Sequence, residues 1–92
     1  MSHNGWTNYP TWLVVSTFDN VESLYNFSKD AVKEVKEKFS EDERISQLAH
    51  LLKNTVESMA PHTNNMIWGP LINNELQTIN FPEIARNMLE EM

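Results

Sequence analysis

Cysteine is absent from the 92 residues. Disulfides, thiolate zinc sites and thiol nucleophiles are thereby excluded, and a reducing, cytoplasmic setting is expected. Glycine occurs only at Gly5 and Gly69. Two glycines so placed cannot write a G-x-S-x-G elbow or a phosphate-cradling loop. The longest apolar run, Trp12-Leu13-Val14-Val15, falls far short of the roughly 20 residues a membrane-crossing helix needs. The segment Met1-Ser2-His3-Asn4-Gly5 has neither the basic nor the apolar stretch of a signal peptide. Positive charge is also scarce, with 7 bases against 13 acids and a net charge of -6. Direct binding to nucleic acid needs a basic stripe and is disfavoured.

Candidate chemistry is equally thin. His3, His50 and His62 have no His or acid partner at a metal-ligand spacing such as H-E-x-x-H. No carboxylate pair stands out for acid–base work, because the acids fall on exposed faces or at helix starts. The expectation is a non-enzymatic protein with no catalytic residue, no metal and no cofactor.

What is present is helical periodicity along one domain, residues 1–92. Pro10 suits a first turn, and a short helix is expected over Pro10–Phe18, with a buried strand as the alternative because Val14 and Val15 are β-branched. Asp19-Asn20 reads as a break and an N-cap. Val21, Leu24, Tyr25, Ser28, Ala31, Val32, Val35 and Phe39 then form an apolar stripe, opposite a solvated face of Lys and Glu. On that face Lys33–Glu37 is the attractive i,i+4 pair. Ser40-Glu41-Asp42-Glu43 matches a capping box, and Ile45, Leu48, Ala49, Leu52, Val56 and Met59 carry a second stripe up to Pro61. Two short helices close the chain, about Pro70–Thr78 and Pro82–Glu90, with Leu71, Ile72, Leu76 and Ile79 inward on the first and Ile84, Ala85, Met88 and Leu89 on the second. The expected fold is all-α, a compact bundle of about five helices, two long and antiparallel, three short. Leu24, Val32, Val35, Leu48, Leu52, Val56, Leu76, Ile84 and Trp12 are the expected core.

Aromatic side chains are the informative surplus. Trp12 and Trp68 read first as core. Trp6 and Tyr9, flanked by polar residues, fit a core or a surface equally. Exposed Lys and Glu contribute little at an interface, whereas an ordered ring beside adaptable Asn can anchor one. Trp6, Tyr9, His62, Asn64, Asn65, Met66 and Trp68 are therefore the candidate partner-binding residues.

The stretch Asn4-Gly5-Trp6-Thr7-Asn8-Tyr9-Pro10-Thr11-Trp12 resembles the opening of a family of small proteins met in phages, plasmids and prokaryotic genomes, which begin with an NGW-x-NY-x-TW signature. Leu71 to Ala85, with Phe81 ahead of Glu83-Ile84-Ala85, is similar to that family's second block, and Asp19–Tyr25 to an acidic turn before Leu-Tyr. Pro10 departs from the acidic or polar residue of the pattern. The resemblance implies a helical fold, a phage or mobile-element setting, no enzymatic activity, and end blocks that pack together with Trp6 and Trp12 against the C-terminal helices. The leading expectation is a protein-binding module, a phage accessory protein that inhibits or redirects a host protein such as a defence nuclease. The alternatives are an acidic nucleic-acid mimic filling a basic groove, and a structural homodimer.

Overall fold

The computed structural model describes residues 4–59 and 66–92. Five helices follow in order: α1 (Tyr9–Asn20), α2 (Glu22–Lys38), α3 (Glu41–Met59), α4 (Trp68–Thr78) and α5 (Phe81–Glu91). No strand occurs among the described residues. The expected all-α bundle of two long and three short helices is the architecture observed. None of these helices is long and apolar enough to cross a membrane.

The core lies where α3, α5 and α2 meet. Val35, Leu48, Leu52, Ile84 and Ala85 are fully buried, with Phe18, Val32 and Met88 nearly so. Each large aliphatic side chain removed from water contributes about 1.5–3 kcal/mol, the main favourable term in a domain this small. Phe81 and Thr11 join the core although their positions were not expected there. Phe27 packs on it from the side, 6.4 Å from Phe18 between ring centroids. Of the expected core, Trp12, Leu24, Val56 and Leu76 are only half-buried. Val21, Tyr25 and Met59 sit on their stripes yet are exposed. Val21 is the extended residue between α1 and α2 and Met59 the last residue of α3, so both stand at helix ends.

The joins correct the expected caps. α1 runs through Asp19 and Asn20, and the break is Val21, a single extended residue with φ -101 and ψ 115. Asn20 does not cap α2. Its side-chain amide donates back to the Ser16 carbonyl at 2.8 Å, closing α1. β-Branched Val21 suits the extended turn, so one residue is enough. At the next join no capping box forms: among the described residues the Ser40 hydroxyl makes no hydrogen bond to the start of α3, and only its carbonyl accepts from the Glu43 N–H, at 2.9 Å. Arg44 holds this corner instead. Its guanidinium donates to the carbonyls of Lys36 (3.1 Å) and Phe39 (3.2 Å), satisfying acceptors at the end of α2. Glu41, Asp42 and Glu43 still fill the first turn of α3, where the helix dipole favours them. On the solvated face the ion pair formed is Glu34–Lys38 at 2.8 Å. Its order, acid before base, is the favourable one on a helix, and the contact raises the Lys38 pKa through hydrogen bonding and charge. The expected Lys33–Glu37 pair runs in the poorer order, and no ion pair forms there.

Candidate functional site

The two ends of the chain are tied by a polar seam. Asn4 and Gly5 both take left-handed φ values, 49 and 87, the conformation an Asn-Gly pair tolerates best. This turn delivers Trp6 onto α5, beside Glu83, Arg86, Asn87 and Glu90. The Thr7 N–H then donates to the Glu83 carboxylate at 3.1 Å. Asn8 caps α1 through its side-chain oxygen, which accepts from the Thr11 N–H (3.0 Å) and the Thr11 hydroxyl (2.7 Å). Its side-chain amide donates to the Thr78 carbonyl at the end of α4, at 2.7 Å. Asn80 mirrors it, capping α5 at the Glu83 N–H (3.1 Å) and reaching the Thr7 hydroxyl (3.2 Å). Between them lies Thr11, fully buried, its hydroxyl accepting from the Asn80 N–H at 2.9 Å. The expected packing of the two end blocks is thus a network of caps, with Trp6 against α5.

Beyond this seam, α4 leaves a groove. It is an 11-residue helix with no buried residue, and its principal neighbour is α1. Its apolar positions Trp68, Leu71, Ile72 and Leu76 follow the helical repeat, and Ile79 is the extended residue just past its end. They were expected to face a core. Ile79 does pack against the core, but Trp68, Leu71, Ile72 and Leu76 line with it a channel of about 510 Å³, walled on the other sides by the first turns of α1 and by Val56 and Met59 near the end of α3. The exposure is large: Trp68 62%, Leu71 50%, Tyr9 51%, Leu13 44% and Met59 52%. Scattered apolar residues on a surface are ordinary, but a contiguous apolar channel marks an interaction site. Among the described residues Glu75 is the one acid or base in its wall.

Tyr9 and Trp68, candidates from the sequence, come together in this groove, and Met66, two residues before Trp68, is 91% exposed and not part of its lining. Trp68, read first as core, lies outside it. Trp6 is on another side of the molecule and half-buried. His62, Asn64 and Asn65 lie outside the described residues. Leu13, Met59, Leu71, Ile72 and Glu75 are among the groove residues that sequence reasoning missed. For Leu71 and Ile72 a signal was present: the face of α4 opposite the apolar stripe carries neutral Asn73 and Asn74 rather than the charges of α2 and α3.

A second cleft, of about 810 Å³, runs on the other flank of α4. It is larger but less telling. Its ionisable side chains His50, Lys53 and Glu57 are exposed, with Lys53 and Glu57 3.9 Å apart. Among the described residues no three His, Asp or Glu side chains converge as a metal site. Every buried side-chain nitrogen or oxygen there already has a hydrogen-bond partner, so no buried polar group is held ready for a ligand.

A family model described as a family of unknown function (DUF7249) matches residues 1–92. The chain belongs to that family. The match spans both end blocks, so the capped seam and the α4 groove fall within the family's own extent. No curated protein and no solved structure matches the chain.

Proposed function

We propose that this chain is a non-enzymatic protein-binding module, carried by a phage or other mobile element, that inhibits or redirects a host protein. The observation that carries the reading is the groove: α4 turns its apolar face to a channel and buries no residue, and Tyr9, Leu13, Trp68 and Leu71 line that channel about half exposed. Partly exposed aromatic and aliphatic anchors in a concave surface are the usual centre of a protein interface. The N-terminal signature supports the mobile-element setting by resemblance.

The test is affinity capture from host lysate with cross-linking mass spectrometry, using the wild-type chain, Leu71→Lys and Lys33→Ala. Both substitutions sit on exposed helical positions, and circular dichroism checks that each variant folds. The expected result is a host protein cross-linked near the groove, retained by Lys33→Ala and lost by Leu71→Lys. Capture that survives Leu71→Lys but fails with Lys33→Ala would place the interface on α2 and overturn the reading.

A further inference from the structure

The walls of the groove differ from the rest of the molecule in charge. Neither α1 nor α4 contains a Lys or Arg. Residues 1–20 carry one charged side chain, Asp19, and residues 61–92 carry four acids against the single base Arg86. Four of the seven bases lie on α2, and Arg44 is held at the α2–α3 corner. Lys53 on α3 lines the cleft on the other flank of α4, paired there with Glu57. Among the described residues Glu75 alone places a charge in the groove wall, and it is negative.

The shape is equally selective. Trp68, Leu71, Ile72 and Leu76 extend the apolar wall over about 12 Å of helix at 1.5 Å per residue, and Ile79 continues it just past the helix end. A wall of that length matches an i, i+3/i+4, i+7 set of anchors on a partner helix of two to three turns. Resting on the reading of this groove as a protein-docking surface, we propose that its occupant is an amphipathic helix of the partner whose apolar face is flanked by Lys and Arg. The apolar anchors enter between α1 and α4, and the flanking cations meet Glu75 and the acidic field of a chain of net charge -6. A second copy of this chain is the poorer occupant, because it brings the same negative charge to the same surface.

The test uses three synthetic helical peptides of about 14 residues and the full chain labelled for NMR. The first has Leu at the anchor positions and Lys or Arg beside them. The second keeps the Leu positions and replaces the bases with Glu. The third keeps the bases and replaces Leu with Ser. The first is expected to shift the amides of Leu13, Leu71 and Glu75, the second to bind about tenfold more weakly at low salt, and the third to leave the groove unshifted. Glu75→Lys, on an exposed position of α4, is expected to weaken the first peptide about fivefold at low salt, with the difference shrinking as salt screens it. Leu71→Lys and Leu13→Lys, on two different helices, should each abolish its binding.

Equal binding of the cationic and acidic peptides overturns the charge inference and leaves the groove standing as a docking surface. Shifts confined to the acidic turn at Glu41–Glu43 overturn it as non-specific attraction, and no groove shift with either Leu peptide overturns it outright. Dimerisation seen by sedimentation and abolished by Leu71→Lys would make the occupant a second copy and overturn it too. Failure of the reading beneath is separate: it shows in the lysate capture, as indifference to Leu71→Lys, whatever the peptides do.

Discussion

Asn8 and Asn80 do matching work at opposite ends of the chain, and each can be tested alone. The side-chain oxygen of Asn8 caps α1 while its amide reaches the Thr78 carbonyl. Asn8→Ala removes both, and a loss of about 1–2 kcal/mol is expected in chemical denaturation. Asn8→Asp keeps the acceptor and loses the donor, so it should recover most of the cap and leave the Thr78 contact as the remainder. Ser40→Ala, which sequence pattern alone would rank as the equivalent loss, should stay within about 0.5 kcal/mol because no side-chain cap forms there. Gly5 offers a cleaner case still. Nothing lies within 4 Å of a Cβ built on it, yet its φ is +87. Gly5→Ala should therefore cost about 1 kcal/mol from backbone conformation alone, with no clash to relieve. A larger loss would mean that the turn delivering Trp6 to α5 has moved.

At the scale of elements, the helices divide into those that hold the core and one that does not. Leu52 on α3 is fully buried and Leu71 on α4 is half exposed. Leu52→Ala is expected to cost roughly 2–5 kcal/mol, and Leu71→Ala under about 1 kcal/mol. Hydrogen exchange should order the helices in the same way, with α4 amides exchanging before those of α3 and α5, because a helix without buried contacts opens locally at little cost. Protection of α4 equal to that of α3 would contradict this. The periodicity of Val32, Val35, Leu48 and Leu52 made the long helices legible in the sequence, since a full apolar stripe opposite Lys and Glu has one stable solution. For α4 the same rule misled. Leu71, Ile72 and Leu76 satisfy the helical repeat as well as any core helix, and periodicity reports that a face is apolar without reporting what covers it. The caps were half legible for a related reason. Ser40 and Asn20 have cap-forming side chains, but a cap also needs the chain to enter the helix at that residue. Tertiary contacts, Arg44 on Phe39 and the extended turn at Val21, decided otherwise.

The whole molecule is closed by contacts between residues about seventy positions apart. Thr7 with Glu83, Asn8 with Thr78, and Thr11 with Asn80 bridge the first helix to the last two. In the sequence this appeared only as a nine-residue signature and a second block of unexplained constraint. The pairing itself was not readable, because Asn and Thr fit many local roles and nothing local names their distant partner. Thr11 is the pivot, fully buried with both hydroxyl functions used: it donates to Asn8 and accepts from the Asn80 N–H. Thr11→Val keeps the shape and removes the hydroxyl, which strands the Asn80 N–H at the start of α5 and frees one lone pair of the Asn8 cap. A loss of about 1–3 kcal/mol is expected, because the orphaned group stays part-buried against α1. Thr17→Val is the control. Its hydroxyl also hydrogen-bonds, to the Leu13 carbonyl at 2.7 Å, but that contact is exposed and water can replace it, so the change should remain within about 0.5 kcal/mol. Hydrogen exchange adds a signature that simple loss of packing would not give. In Thr11→Val the early amides of α5 should lose protection together with those of α1, while the α2–α3 corner held by Arg44 keeps its own. If the loss were spread evenly over all five helices, the seam would be ordinary core and not the clasp that joins the two ends.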